Sequence, residues 1–353
     1  MKYLGVMACI VLSITLTGCL VSKEPLIGGD AIITPTKGGL YEKCDYAKDS
    51  KEYYACDYVT VGVGSGGTYA ATNIFSTSSE VFSLGRLQDT SKWAIQYSAG
   101  AGEYQYGMAQ QTHDGLLAIF PQCNAIKWEI VNDYGNRGYI THAERGQCYI
   151  RDLSALVQMF KELPERTGSA WLEGAQIKKL TPLTNAAALQ RAADKGFKRF
   201  KETDKTWFIS VRNGALFLAR FPGDRRAPEA KKMLQYALQQ DELAPYRNDK
   251  GKILRASTLD RGLAMAVLGD VDAGFSLAIN TMPDEHHQAD YASQVVSLII
   301  QHAFRLNHPK RSDYVRNACD ALLSTLQKQE VVSDPAKYVS VDVVRQQLAC
   351  GKA

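Results

Sequence analysis

The sequence predicts an α+β protein, with an N-terminal, tyrosine-rich antiparallel β domain followed by a mainly helical domain that contains one β-hairpin. Three observations lead there. Residues 41–150 hold 12 of the 18 tyrosines, and tyrosine favours half-buried strand positions. The short β-branched and aromatic runs of that region are broken by Gly, Asp, Asn or Ser, the punctuation a meander or sandwich requires. Past Pro222, apolar residues recur at helical spacing almost to the end of the chain.

Taken in order, residues 19–39 are rich in Gly, Pro, Thr and Ile and read as a tether. Strands are expected at 53–63, 68–75, 81–87, 93–97, 104–111 and 115–120, the last two joined at Asp114-Gly115. A further pair, 138–142 and 147–151, flanks Arg145-Gly146. A short helix over 152–161 follows, with Asp152 as its cap. The β-rich domain is accordingly placed at 40–165 and the helical domain at 166–353. Residues 185–200 read as a helix, with Leu189, Ala193 and Phe197 on one face. Residues 206–221 read as a hairpin, because Asn213-Gly214 lies between two apolar runs and such a turn needs positive φ at both central residues. The next helix starts at Pro228, which suits a first-turn position, and runs to about residue 240. Segments 258–268 and 273–281, broken at Gly269-Asp270, form a helical hairpin. A helix over 291–306 ends before Pro309. Ser312 caps a helix with Val315, Cys319, Leu322 and Leu326 on one stripe, and a short helix after Ser340 closes the chain.

Ahead of these elements stand Lys2, an apolar run over residues 4–15, and Leu16-Thr17-Gly18-Cys19. The run suits the core of a signal peptide and is too short for a membrane span of about 20 residues. The segment as a whole resembles the lipobox signal of bacterial lipoproteins, a resemblance that covers residues 1–20. It implies removal of residues 1–18, acylation of Cys19 and attachment to a membrane through lipid. Each buried CH₂ contributes about 0.8 kcal/mol, so two or more acyl chains anchor stably. Leu20, rather than Asp, follows the cysteine; in a host with two membranes this implies transfer to the outer one.

Cys9 leaves with the signal and Cys19 takes the lipid, which leaves Cys44, Cys56, Cys123, Cys148, Cys319 and Cys350. An even number in an oxidising compartment points to three disulfides. Of the possible connectivities, the distribution in three local pairs favours 44–56, 123–148 and 319–350. No CxxC spacing suggests a metal, and no metal is expected. Hydrophobic content of 45% and charged content of 22% describe a globular protein. The net charge of +4, one less without Lys2, comes with no basic run interleaved with aromatics, which argues against nucleic acid as a partner.

Gly62-Val63-Gly64-Ser65-Gly66-Gly67 satisfies GxGxxG, but the residues after it are aromatic and β-branched rather than helical. A dinucleotide site needs a helix there, so no cofactor is expected. GxSxG is absent around Ser65. Asp284, Glu285, His286, His287 and Asp290 form the densest group of potential ligands, yet adjacent histidines on a helix face different ways and acids at a helix start complement its dipole. His113-Asp114 is explained by a turn. The expectation is an outer-membrane-anchored lipoprotein that acts by binding an envelope protein, as an interaction or assembly component. The alternatives are a periplasmic hydrolase or cell-wall-modifying enzyme, and a small-ligand or glycan receptor. Loops on rigid scaffolds carry function, so Gly62, Gly64, Ser65, Gly66 and Gly67, with Gly100 and Gly102 in the loop 99–103, are the candidate binding residues.

Overall fold

The computed structural model describes residues 20–47, 52–76, 79–87, 92–100, 103–144, 146–172, 174–203, 206–282, 288–328 and 334–351. Residues 1–19, with the lipobox, lie outside them, as do Gly102 and residues 284–287.

The chain opens with β1 (Leu20–Ser22), β2 (Ile32–Ile33), β3 (Gly39–Ala47), β4 (Glu52–Val63) and β5 (Tyr69–Asn73). Four more strands follow, β6 (Ser79–Arg86), β7 (Lys92–Gly100), β8 (Glu103–Thr112) and β9 (Gly115–Phe120). Then come α1 (Trp128–Asn136), β10 (Ile140–Glu144), β11 (Gln147–Ile150), α2 (Leu153–Thr167) and β12 (Gln176–Pro182). The rest is mainly helical: α3 (Ala186–Lys201), α4 (Trp207–Arg220) and α5 (Ala227–Leu243), a short ladder of β13 (Tyr246–Arg247) with β14 (Ile253–Leu254), α6 (Thr258–Leu268) and α7 (Val271–Thr281). The last three are α8 (Ala289–Arg305), α9 (Arg311–Leu326) and α10 (Pro335–Gln347). This is the α+β class the sequence predicts, an antiparallel β region followed by a mainly helical part.

The strand order is β10-β11-β1-β8-β7-β6-β5-β4-β3-β12-β9, and β9 also pairs with β8. Two compact units divide the chain: 1–33 with 45–54 and 83–179, and 34–44 with 55–82 and 180–353. Strands β3, β4, β6 and β12 each run from one unit into the other.

In the first unit β1 is an interior strand. It runs antiparallel to β8, with Leu20 opposite Tyr106, and parallel to β11, with Leu20 opposite Cys148. The stretch expected to be a tether is therefore folded from Leu20 onward, and Leu20 and Val21 are fully buried. Helices α1 and α2 supply Ile130, Tyr134, Leu156 and Phe160 to the same core. Asp152 caps α2 by accepting from Ala155 N–H at 2.8 Å. The helix then runs through Pro164 to Thr167 rather than stopping near 161; buried Leu163 and the core beneath it outweigh the local break.

The second unit corrects one expectation outright. Residues 206–221 are not a hairpin; 207–220 form the single helix α4. Asn213 and Gly214 sit buried in its middle, and Gly214 has no positive φ. The glycine is there for packing: a Cβ on it would stand 2.6 Å from Cζ of Phe200 on α3. Apolar residues on all sides of α4, including Val211, Ala215, Phe217 and Leu218, mimic alternation in a helix that is buried all round. The two-stranded ladder of this half is β13–β14 instead. Helices α6 and α7 form the expected hairpin, turning at Gly269, whose φ is +122°. They cross closely because a Cβ on Gly262 would reach the carbonyl of Gly274 at 2.9 Å. Helix α8 lies at the centre, with Val295, Val296, Ile299 and Ile300 buried. Ser312 does not cap α9, whose flanking residue Lys310 makes no side-chain cap, and α10 starts ahead of Ser340.

Candidate functional site

The six paired cysteines join as expected, Cys44 with Cys56, Cys123 with Cys148, and Cys319 with Cys350. Cys44 and Cys56 also lie with Glu42 in the single grouping of potential metal ligands among the described residues. Sulfur atoms bound to each other offer no thiolate, so that grouping is a disulfide beside a carboxylate.

The glycine-rich segment makes the turn between β4 and β5. Gly64 N–H donates to Thr68 O at 2.9 Å, Gly67 N–H to Gly64 O at 3.0 Å, and Gly67 takes φ +75°. Strand follows turn, so the dinucleotide geometry does not arise. The loop instead receives α10. A Cβ on Gly62 would collide with Val343, and one on Gly64 would lie 2.9 Å from the Asp342 carboxylate. That carboxylate is 2% exposed and accepts from Ser65 N–H at 2.5 Å and from Arg345 at 2.9 and 3.2 Å. Burial works against its charge, but these donors outweigh burial and hold its pKa below the ordinary carboxylate value. Close backbone approach, the property that made these glycines candidates, is used by this chain's own helix. Only the tip at Ser65 and Gly66 is exposed. Gly100 ends β7, away in sequence and in the other unit.

His113 and Asp114 lie at the β8–β9 turn. Asp114 is bound by Lys179 at 2.6 Å and Thr112 at 2.9 Å, and these hydrogen bonds lower its pKa. Asp290 stands in the first turn of α8, where burial raises its pKa. Deeper in the second unit, Asp260 accepts from Tyr291 OH at 2.5 Å, from Ser257 Oγ at 2.8 Å and from Arg212 Nε at 3.1 and 3.2 Å. Burial first, and the neighbouring carboxylate second, keep the Tyr291 phenol protonated. These contacts tie α4, α6 and α8 together through the buried Asp260 carboxylate and the part-exposed Arg212 guanidinium.

The site that sequence reasoning missed is in the first unit, where β1 enters. Tyr106, fully buried, receives Leu26 N–H at 3.0 Å, contacts Ser22 Oγ at 2.7 Å and donates to Gln96 Oε1 at 3.0 Å. Gln96 in turn receives Ile27 N–H at 2.9 Å. Burial pushes the Tyr106 phenol up to about 12, so it remains a donor at any physiological pH. The backbone from Ser22 to Ile27 is thus held by side chains of β7 and β8. Beside the Cys123–Cys148 disulfide opens a groove of about 470 Å³, walled on one side by the 123–128 turn with Val131 and on the other by Ala143, Glu144, Gly146 and Gln147. Trp128 stands at its edge, 64% exposed. The local signal for α1 is faint: nine residues, with no side-chain cap at Lys127.

Comparison with protein-family models, with curated proteins and with solved structures gives no match.

Proposed function

We propose that the protein is an outer-membrane lipoprotein, acylated on Cys19, that acts by binding as an interaction or assembly component of the cell envelope. Cys19 carries this reading. It closes Leu16-Thr17-Gly18-Cys19, it is the one cysteine after residue 18 outside the three disulfides, and it immediately precedes the first strand. The disulfides are consistent with an oxidising compartment. No helix among the described residues is long and apolar enough to cross a membrane, so attachment would rest on lipid.

Binding is supported by aromatic surface in the first unit. Tyr53 and Tyr54 are exposed on β4, and the Lys179 ammonium lies 5.1 Å over the Tyr53 ring. Exposed tyrosine supplies contact area at low entropic cost. The test is Cys19→Ser, compared with wild type by membrane fractionation, mass analysis of the N-terminus and crosslinking in living cells. The variant should leave the membrane pellet, lose the acyl mass and lose its envelope crosslinks. A variant that stays in the pellet with residues 1–18 still attached overturns the anchor. Hydrolysis of wall or lipid substrates by the soluble variant overturns action by binding.

A further inference from the structure

The register of β1 fixes where an N-terminal anchor leaves the fold. Strand β1 runs parallel to β11, with Leu20 opposite Cys148 and Val21 opposite Tyr149. Leu20, the first described residue, thus lies opposite the cysteine that is bonded to Cys123. Consecutive Cα atoms are about 3.8 Å apart, so an acyl anchor on the residue preceding Leu20 would start close to this disulfide. Gln147 belongs to the groove beside the Cys123–Cys148 disulfide, and Glu144, paired with Gln147 across the β10–β11 ladder, lines it too.

Of the four tryptophans, Trp128 is the exposed one, and it lies on the edge of this groove. An indole has an apolar body and one N–H donor, which suits the depth between lipid headgroups and acyl chains. Lys127, next to it, is exposed and long enough to keep its ammonium in water while its stem lies against lipid. Behind them Ile126 and Val131 are buried, so the ring stands on a rigid base.

We propose that the groove edge carrying Trp128 is a membrane-contact face, seated on the bilayer that the Cys19 acyl chains enter. This rests on the lipoprotein reading above. Glu129 and Glu144 are also exposed beside the groove, so the face is of mixed charge and anionic lipid is not what draws it. The acyl chains hold the protein to the membrane; Trp128 determines which face is turned toward it.

The test uses full-length protein purified from envelopes and returned to vesicles of phosphatidylethanolamine and phosphatidylglycerol, with and without bromine on the upper part of the acyl chains. Tryptophan emission is recorded for wild type and for Trp128→Phe, with flotation confirming that both are bound and mass analysis confirming acylation. Wild-type emission should be blue-shifted relative to the soluble Cys19→Ser protein and quenched by bromine. Trp128→Phe should float equally well and lose the bromine-dependent quenching. Acylated, vesicle-bound wild type without Trp128 quenching overturns the contact. A blue shift without quenching overturns it too, and places the protein's own acyl chain in the groove. An unacylated N-terminus in bound protein removes the anchor reading, and the contact with it.

Discussion

At the scale of single residues, the hydroxyl of Tyr106 does more than its ring. It serves Ser22, the Leu26 N–H and Gln96 at once, and removing it takes the acceptor from Leu26 N–H and one hydrogen bond each from Ser22 and Gln96. Tyr106→Phe should cost about 1–3 kcal/mol in urea unfolding, and should speed amide exchange at Leu26 and Ile27 more than in the helices. Unchanged exchange there would show that β1 is held by its ladder alone. Asp224 gives a pH signature. Its carboxylate, almost fully buried, takes Arg226 Nε at 2.7 Å and Arg226 N–H at 2.9 Å, and the Arg226 hydrogen bond, chief among its contacts, brings its pKa to about 2. The folded value lies below the unfolded one. The stabilisation is therefore present above the usual value of 3.8 and lost as pH falls toward 2. Asp224→Asn should lower stability by about 2 kcal/mol at neutral pH, with the gap to wild type closing between pH 4 and 2 in acid-unfolding curves.

At the scale of elements, Cys319 on α9 is bonded to Cys350 just beyond α10. α10 also carries Val343 and Asp342 against the β4–β5 turn. Replacing both cysteines by serine should lower stability by about 3–4 kcal/mol in thermal unfolding, the entropy of the loop they close. The double variant should also expose the turn at Ser65 to proteolysis, whereas a structural role confined to α9 would leave the turn protected. These elements show how far the sequence can be read. Strong local signals carried through: the Asp152 cap, the β8–β9 turn, the break at Gly269 and the three cysteine pairs. Where tertiary packing decides, local signals misled. Asn213-Gly214 is a turn signal in isolation, but the Phe200 ring needs the space a side chain would fill. β1 is three residues whose strand character comes only from β8 and β11 on either side. The groove was illegible for a related reason: one wall belongs to the expected strand pair, but the facing 123–128 turn carries no motif and meets it only through the fold.

At the scale of the whole molecule, the proposed anchor and the fold are separated by nothing. Most of a lipoprotein's reach comes from a flexible tether, whose span grows as the square root of its length; here the first residue after Cys19 is already buried in the sheet. Cys19→Ser should therefore release the protein without destabilising it, and the released form should unfold at the same urea concentration as the anchored one. A large loss of stability would mean that residue 19 contributes to the core. The interior position of β1 also bears on the order in which the chain is made. A chain exported N-terminus first presents Leu20 and Val21 long before Tyr106 and Cys148, their partners, have crossed. Contacts this distant in sequence form late. On the lipoprotein reading proposed above, the start of the chain would stay accessible to processing enzymes until then, and strand insertion would close that kinetic window behind them.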